Sequence, residues 1–567
     1  MNPITVKAVL FTILIFSSLL SFQTLKAQNI ENLGKEKPIK ISGGVSVNQM
    51  FFGAIGSPTR RNSYTYYLSG NLNFSLYGWS VPLSYMYSNQ QSSFQQPFNQ
   101  YSISPTYKWI TAHIGYSSMT FSPYTLSGHQ FLGAGVELNP GTVFKFSAML
   151  GRLQKAIEYD TTNRSIQPTY RRMGYAFKAG VNLKVATIVI STFHSKDFAN
   201  SLVHPVDTLQ LYPEENLAFG VSSTVSFIPK LSLMVDYGSS YITRDTRSAL
   251  ETGNSLLTRY TSTEHFNAIK TGVKYAQPFF SMGITYERID PGYRTHGSYY
   301  FNNDLENITG NISTNLINNK LNLGVNLGVQ RDDLDHKKMS NMVRIVNSFN
   351  VGYVPTGKLN INASYSNFKS HTNVKSQFVA INQLTSYETL DTLNFTQISE
   401  NTTTNVNYAL ASNENNRQYL SFNGVYQKAS EYQAQVLTNS GAKFLNLNTG
   451  YNYTFVKSNT GLTTSLNFSS SNSLSLKSIT IGPTFSIRKN FFNNKLRNSF
   501  TTSYNNSYSN GALISTIVNF RVNEAYTWMK KHNLNLCGAV IYRNVKMSEN
   551  TLRYTEFTAT LGYSYNF

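Results

Sequence analysis

The sequence predicts an all-β protein, a single large antiparallel transmembrane β-barrel of about 22–26 strands, with about 26 as the best count. Three observations predict it. Charged residues make up only 13% of the chain while aromatic residues make up 14%, against about 25% charged in an average soluble protein. Segment after segment alternates apolar and polar residues with a period of two, as a strand between lipid and water must. Beyond the N-terminal region, no apolar run is long enough to cross a bilayer as a helix.

The N-terminal element is a secretory signal spanning 1–27. Lys7 supplies the positive region, Ala8 to Leu20 form a short apolar stretch, and Ser21 to Ala27 end in a small residue suited to cleavage before Gln28. No cysteine stands near that point, which argues against a lipoprotein anchor. A short periplasmic segment, 28–38, is expected to follow, and 39–567 to form the barrel. The texture of that long region is uniform, with no linker or charge block to divide it. Its one cysteine, Cys537, offers neither a disulfide framework nor a CxxC motif.

The strands come next. Leu321, Leu323, Val325, Leu327 and Val329 alternate with Asn322, Gly324, Asn326 and Gly328, and Leu359, Ile361, Ala363 and Tyr365 alternate with Asn360, Asn362, Ser364 and Ser366. Each segment is close to the roughly 9–11 residues a tilted strand needs to cross a bilayer. After even-numbered strands the connections are tight, as at Asn139-Pro140-Gly141, Pro229-Lys230 and Asn318-Asn319. After odd-numbered strands they are long, as in Gln154–Tyr170, Lys196–Glu215, Ile242–Glu264 and Ser370–Asn401. Short periplasmic turns and long outer loops, with both termini periplasmic, produce that alternation. Exceptions are a short connection near Asn472 and longer ones near Arg488–Lys495 and Ala525–Lys531.

The last strand carries the most specific signal. Phe567, Tyr565, Tyr563, Leu561, Ala559 and Phe557 share one face, and Asn566, Ser564, Gly562, Thr560 and Thr558 the other. A terminal aromatic on an alternating strand resembles the signal by which the outer-membrane barrel assembly machinery recognises its substrates. Phe567, Tyr565 and Tyr563 are therefore expected to act in assembly.

Phe121–Glu137 (FSPYTLSGHQFLGAGVE) and Gly151–Gly180, together with the Tyr- and Asn-rich texture, resemble a group of uncharacterised large barrels of Bacteroidota. The resemblance implies a lineage and the bacterial cell outer membrane as compartment, and no mechanism. TonB-dependent transporters carry a plug of well over a hundred residues before the barrel, and the lipopolysaccharide transport barrel a periplasmic jelly roll. Neither pattern fits this sequence.

Enzymatic chemistry finds little support. The nine histidines form no HExxH and no pair at metal-ligand spacing, so no catalytic, cofactor or metal residues are expected. The nearest constellation, His194-Ser195-Lys196-Asp197, reads equally well as a polar strand end entering a loop. The net charge of +20 is more informative. If apolar residues face lipid, Lys40, Lys145, Arg172, Lys178, Lys270, Lys274, Arg344, Arg521 and Arg543 line the lumen, with Glu137, Asp236 and Glu287 as the acids placed there by the same rule. Such a surface favours anions, unless the cations pair with loop carboxylates or bind lipopolysaccharide phosphates. Nucleic-acid binding is not expected in this compartment.

The expected function is thus an outer-membrane channel or transporter barrel, porin-like and anion-preferring. So wide a barrel must be occluded by its own loops or by a partner. Ser370–Asn401, with its apolar Phe378-Val379-Ala380-Ile381, is the internal candidate. The alternative is a non-transporting structural or assembly component of an outer-membrane complex. Expected partners are outer-membrane lipids and lipopolysaccharide, the assembly machinery, and an outer-membrane or periplasmic protein.

Overall fold

Alternation at a period of two leaves each strand one apolar and one polar face, and closing the sheet lets every backbone amide and carbonyl pair without an exposed edge. A computed structural model realises this closure. It describes residues 39–567 except 58–61, 77–78, 90–98, 160–166, 204–209, 252–258, 337–342, 368–369, 375–392, 399, 430–431, 434–435, 438–441, 474–475 and 547–550. The expected signal, 1–27, and the segment 28–38 lie outside the described residues.

The first strands are β1 (Ile39–Ile55), β2 (Tyr64–Leu76), β3 (Trp79–Ser88), β4 (Gln100–Ile103 continuing as Thr106–Tyr107), β5 (Ile110–Thr120), β6 (Ser127–Leu138) and β7 (Phe144–Gln154). Then come β8 (Arg171–Asn182), β9 (Ala186–Phe198), β10 (Glu215–Ile228), β11 (Leu231–Thr243), β12 (Thr263–Ala276), β13 (Phe280–Ile289) and β14 (Leu305–Leu316). They are followed by β15 (Leu321–Arg331), β16 (Val343–Thr356), β17 (Leu359–Ser366), β18 (Glu400–Ser412), β19 (Asn416–Ala429) and β20 (Ala442–Phe455). The last are β21 (Thr460–Ser473), β22 (Leu476–Phe491), β23 (Leu496–Ser509), β24 (Ala512–Trp528), β25 (His532–Lys546) and β26 (Thr551–Asn566).

Each strand pairs antiparallel with its sequence neighbours, and β26 returns to β1 with Gly44 opposite Asn566 and Ile55 opposite Thr555. The result is a closed 26-strand antiparallel barrel. The break in β4 falls at Pro105, which lacks the N–H that a ladder needs. Small hairpins, Ser370–Val374 with Leu393–Ile398 and Tyr432–Gln433 with Val436–Leu437, stand apart from the barrel sheet.

One rim holds tight turns throughout. The connections near Arg488–Lys495 and Ala525–Lys531, expected to be longer, are tight as well, because β22 runs on to Phe491 and β24 to Trp528. The turns carry Lys108, Lys184, Lys230, Lys320, Lys358, Lys457, Lys495, Lys530 and Lys531, and Glu414 is the acid among their described residues. Aromatic side chains ring the same rim. Trp79 stacks on Tyr107 at 4.7 Å, Phe279 lies against Phe280 at 5.2 Å, and Tyr565 meets Phe567 edge-on at 4.8 Å. The Phe567 amide donates to the Gly43 carbonyl at 2.9 Å, so the last residue helps to close the barrel.

Around the wall, the exposed face is apolar. Leu150, Tyr175, Phe177, Ile190, Phe219, Ile284, Leu327 and Ile345 all point outward and exposed. Their neighbours in sequence turn to the opposite, inner face, and there the protein's buried core sits.

Candidate functional site

The inner face is not uniform. From β6 to β13 it is covered by two connections that fold back into the barrel, 121–126 after β5 and 290–304 after β13. The first is a compact turn closed by the Phe121 amide on the Leu126 carbonyl at 2.8 Å. Phe121 and Leu126 pack with Met119, Phe131, Met149, Leu153, Ala176, Phe193 and Ala218 in one buried cluster. Tyr124 joins Tyr293, Ala268, Ile289 and Leu305 in a second. Leu126, Phe131, Phe193 and Tyr293 have no exposed surface, and each such burial contributes about 1.5–3 kcal/mol.

Glycines on the wall make room for the first turn. A Cβ on Gly238 would stand 2.3 Å from the Tyr124 Cβ, and one on Gly220 would stand 2.7 Å from the Ser122 Oγ. No side chain fits at either position while the turn is seated. The two connections also hold each other. The Tyr293 hydroxyl donates to the Tyr124 carbonyl at 2.7 Å, the Thr295 hydroxyl to the Thr125 carbonyl at 2.8 Å, and the Ser127 amide to the Gly297 carbonyl at 2.8 Å. Tyr299 reaches β6, where its ring stacks on His129 at 4.0 Å and its hydroxyl accepts from the Gln130 amide at 3.1 Å.

A buried polar network fixes the second connection to the wall. The Ser195 Oγ lies 2.8 Å from His296 Nδ1, and His296 Nε2 lies 3.1 Å from Glu214 Oε2. The His296 amide donates to Asn216 Oδ1 at 3.0 Å. Arg172 clasps Asp197 with two bonds, at 2.7 and 2.8 Å, and reaches Glu214 at 3.3 Å, while Arg294 binds the other Glu214 oxygen. Burial drives the His296 imidazole well below its ordinary pKa, with Arg172 adding to the effect and Glu214 opposing it. Burial alone would raise the Glu214 carboxyl, but the His296 hydrogen bond and the Arg294 and Arg172 charges outweigh it and hold it low. Neutral His296 therefore donates from Nε2 to the Glu214 carboxylate and accepts the Ser195 proton at Nδ1.

Ser195, His296 and Glu214 follow the order of a hydrolytic triad. Ser195 has no exposed surface, however, and the neighbouring cavity of about 330 Å³ is lined by Arg172, Asp197, Glu214 and Arg244 rather than by Ser195 or His296. In this arrangement the three residues staple a loop to the wall. Alternation also divides the stretch His194-Ser195-Lys196-Asp197. Ser195 and Asp197 turn inward to this network, while His194 and Lys196 both bind Glu215, at 2.8 and 2.9 Å, on the other face. Among the described residues, no group of three His, Cys, Asp or Glu side chains could hold a metal ion.

The expected lumen cations fall in varied settings. Arg172 belongs to the buried network. Lys178 donates to the Thr120 carbonyl at 2.8 Å and lies over the Phe121 ring. Lys270 pairs with Glu287 at 3.6 Å and Arg543 with Glu556 at 3.2 Å. Lys145 shares the inner parity of Met149 on β7, and Lys274 that of Ala268 on β12. Neither has an ion-pair partner among the described residues. Lys40 opens β1 opposite Ser75, and Arg521 shares the parity of buried Asn519 on β24. Arg344 pairs with Gln330 through the backbone, and its side chain lies outside the described residues. Among the acids, Glu137 meets His113 at 3.2 Å and Asp236 stands opposite Lys270 in the register.

Sequence reasoning missed Glu214, Arg294, His296 and the whole seat of 121–126. The expected internal loop, Ser370–Asn401, forms a small hairpin at its ends, and its apolar Phe378–Ile381 stretch lies outside the described residues.

From β14 to β23 the inner face changes character. It carries Asn, Ser, Thr and Gly, and an open groove of about 640 Å³ runs over Lys274, Asn311, Asn326, Asn350, Asn362 and Asn405.

No protein-family model matches the chain, and no curated protein matches it. Solved structures do align along it. The ferric preacinetobactin receptor BauA of Acinetobacter baumannii is 8% identical, with a TM-score of 0.35 over 93% of this chain and 81% of the receptor. The ferric enterobactin receptor PfeA of Pseudomonas aeruginosa is 8% identical, with a TM-score of 0.41 over 94% and 81%. The P pilus usher PapC translocation pore is 10% identical, with a TM-score of 0.37 over 93% and 99%. The molecule is a closed antiparallel barrel with two connections seated against its inner wall.

Proposed function

We propose that the protein is an outer-membrane conduit for solutes, narrowed by its own connections 121–126 and 290–304. One observation carries this reading. The inner wall is shaped to receive a loop, with Gly220 and Gly238 leaving no space for a side chain beneath Ser122 and Tyr124. A barrel of this size without inward-folded chain would breach the membrane, so a fitted seat is what a controlled conduit requires. Delivery to the outer membrane would rest on the assembly machinery reading Phe567, Tyr565 and Tyr563. Any preference for anions is weak, because Arg172, Lys270 and Arg543 are each matched by an acid. It rests chiefly on Lys145 and Lys274.

Planar-bilayer conductance of the purified barrel tests the proposal. Wild-type protein should pass a small, steady current. The double variant Gly220→Val, Gly238→Leu, whose substitutions suit a strand but not the seated turn, should pass several-fold more. Silence from both proteins would leave a non-transporting scaffold within an outer-membrane complex as the better reading.

A further inference from the structure

The inner wall between β14 and β21 carries a row of carboxamides in register, broken only at β16 by a glycine. Asn315 stands opposite Asn322, Asn322 opposite Gly352, and Gly352 opposite Asn362. The row continues from Asn362 to Asn405, Asn423, Asn448 and Asn467 on successive strands. All of these residues have inner-face parity, since Leu327, Ile345, Tyr408, Phe422 and Leu466 on the same strands are the exposed outer residues. No acid or base interrupts the row.

Its geometry makes it a ramp. Neighbouring strands are about 4.8 Å apart, and barrel strands tilt by about 40°. Seven steps between adjacent strands therefore climb roughly 20 Å along the barrel axis, most of the roughly 25 Å height of an apolar band. The register shows the same climb. Asn315 lies one residue from the turn-side end of β14, whereas Asn467 lies midway along β21.

The amides are only partly used by one another. Asn423 donates to Asn405, Asn448 donates to Asn467 at 2.6 Å, and Asn467 donates onward to the Thr484 hydroxyl at 3.0 Å. A carboxamide offers two donors and two acceptor lone pairs, so most of that capacity still faces the interior. Asn315, Asn322 and Asn362 are exposed there, while Asn405, Asn423 and Asn448 are half-buried. The groove of about 640 Å³ opens over the middle of the row.

We propose that this row is the path of neutral polyhydroxylated solutes of oligosaccharide size. The inference rests on the conduit reading and names its substrate class. Hydroxyl groups both donate and accept, as carboxamides do, so a sugar can exchange one set of hydrogen bonds for an equivalent set one strand further on, or two strands on across Gly352. The spacing between strands is close to the advance per hexose of an extended glycan. An ion gains no fixed opposite charge from the row itself, and Lys274 is the cation that lines the groove beside it. A peptide would find no apolar pocket for its side chains and no charge for its termini.

Maltotetraose is the probe. Conductance in KCl is recorded with the probe added, and sugar-driven swelling of protein-loaded liposomes is measured in parallel. Both use the wild type and the Gly220→Val, Gly238→Leu variant with the turn unseated. Millimolar maltotetraose should interrupt the current and swell the liposomes faster than a charged solute of equal size. The triple variant Asn405→Leu, Asn423→Leu, Asn448→Leu should keep its KCl current and lose at least about tenfold in sugar block, and Asn→Gln at the same positions should restore much of it. A normal KCl current with neither block nor swelling overturns the sugar path and spares the conduit, as does block unchanged in the triple Leu variant. Absence of both ion and sugar flux overturns the conduit and this inference with it.

Discussion

The wall from β6 to β13 and the wall from β14 to β23 are built from strands of the same kind and face the same interior, yet they solve different problems. The first is filled. Its inner residues are small or apolar where 121–126 and 290–304 press on them, and Arg172 and Lys270 there are matched by acids, although Lys145 and Lys274 are not. The second is open, and it is neutral along the whole asparagine row. A pleated strand commits only its outward face to lipid, so its inner face is free to become either a protein core or a polar track. Part of the charge that a lumen count assigns to transport belongs to the filled side, where Arg172, Lys178 and Lys270 hold structure together.

The contrast makes unequal demands on single residues. Arg172→Met should be the most costly change short of unseating the turn, because it leaves Asp197 buried without its cation and strips Glu214 of one of its two arginines. Breaking such a pair costs about 3–5 kcal/mol. Thermal unfolding and limited proteolysis in detergent should show earlier melting and cleavage within 290–304. Asn448→Ser, on the open side, should cost less than about 1 kcal/mol by the same measures. Equal losses at the two sites would mean that the division into filled and open walls is false.

Acid should separate the walls next. His296 is held neutral, so the released loop binds more protons than the docked one wherever its pKa has been lowered. Docking is therefore at full strength above the ordinary histidine value of 6.5 and weakens as pH falls toward about 4. Glu214, held low, adds its own loss further down, as pH falls below the ordinary carboxylate range. The groups facing the histidine are Glu214, Arg172, Asp197 and Arg294, and none reverses this direction. Channel current should rise between about pH 6 and pH 4, and His296→Asn should flatten the rise. A current that falls on acidification in the wild type and in the variant alike would contradict the staple.

The smallest effect concerns ions. Lys145→Glu with Lys274→Glu should shift the reversal potential in a salt gradient modestly toward cations, while sugar block falls far less than in the triple Leu variant, because Lys274 borders the groove and neither lysine belongs to the asparagine row. A large shift from these two alone would show that the paired cations matter less than their number suggests.

The strands were legible in the sequence because lipid enforces alternation one residue at a time. The β15 run from Leu321 to Val329 and the final run to Phe567 could be read without any knowledge of their neighbours. Some of the pairing was within reach too. Once the register is known, Arg172 stands opposite Asp197 and Lys270 opposite Glu287, so the matched charge follows from cross-strand position. The seat of the turn was not legible in the same way. It depends on Gly220 and Gly238 lying on neighbouring strands beneath residues about a hundred positions earlier, and on His296 meeting Ser195 across a similar distance. Length and an apolar patch pointed instead to Ser370–Asn401. A short connection with good complementarity leaves a fainter trace than a long one, and inward-facing glycines on adjacent strands are the trace it leaves.

The turn-side rim bears on how the barrel sits in its membrane. Aromatic rings favour the headgroup level, and lysines beside them reach lipid phosphates. Lys108 lies over Tyr107 at 5.1 Å, Lys489 over Phe491 at 5.4 Å and Lys531 over Tyr565 at 5.9 Å, so stem and ring form one amphipathic unit. Such a collar acts as a waterline. It pins this edge at a set depth, and a thinner or thicker bilayer must be accommodated at the opposite rim, where strands give way to long loops. The foot of the asparagine ramp, at Asn315 and Asn322 beside Lys320, is then moored at this edge whatever lipids surround the protein.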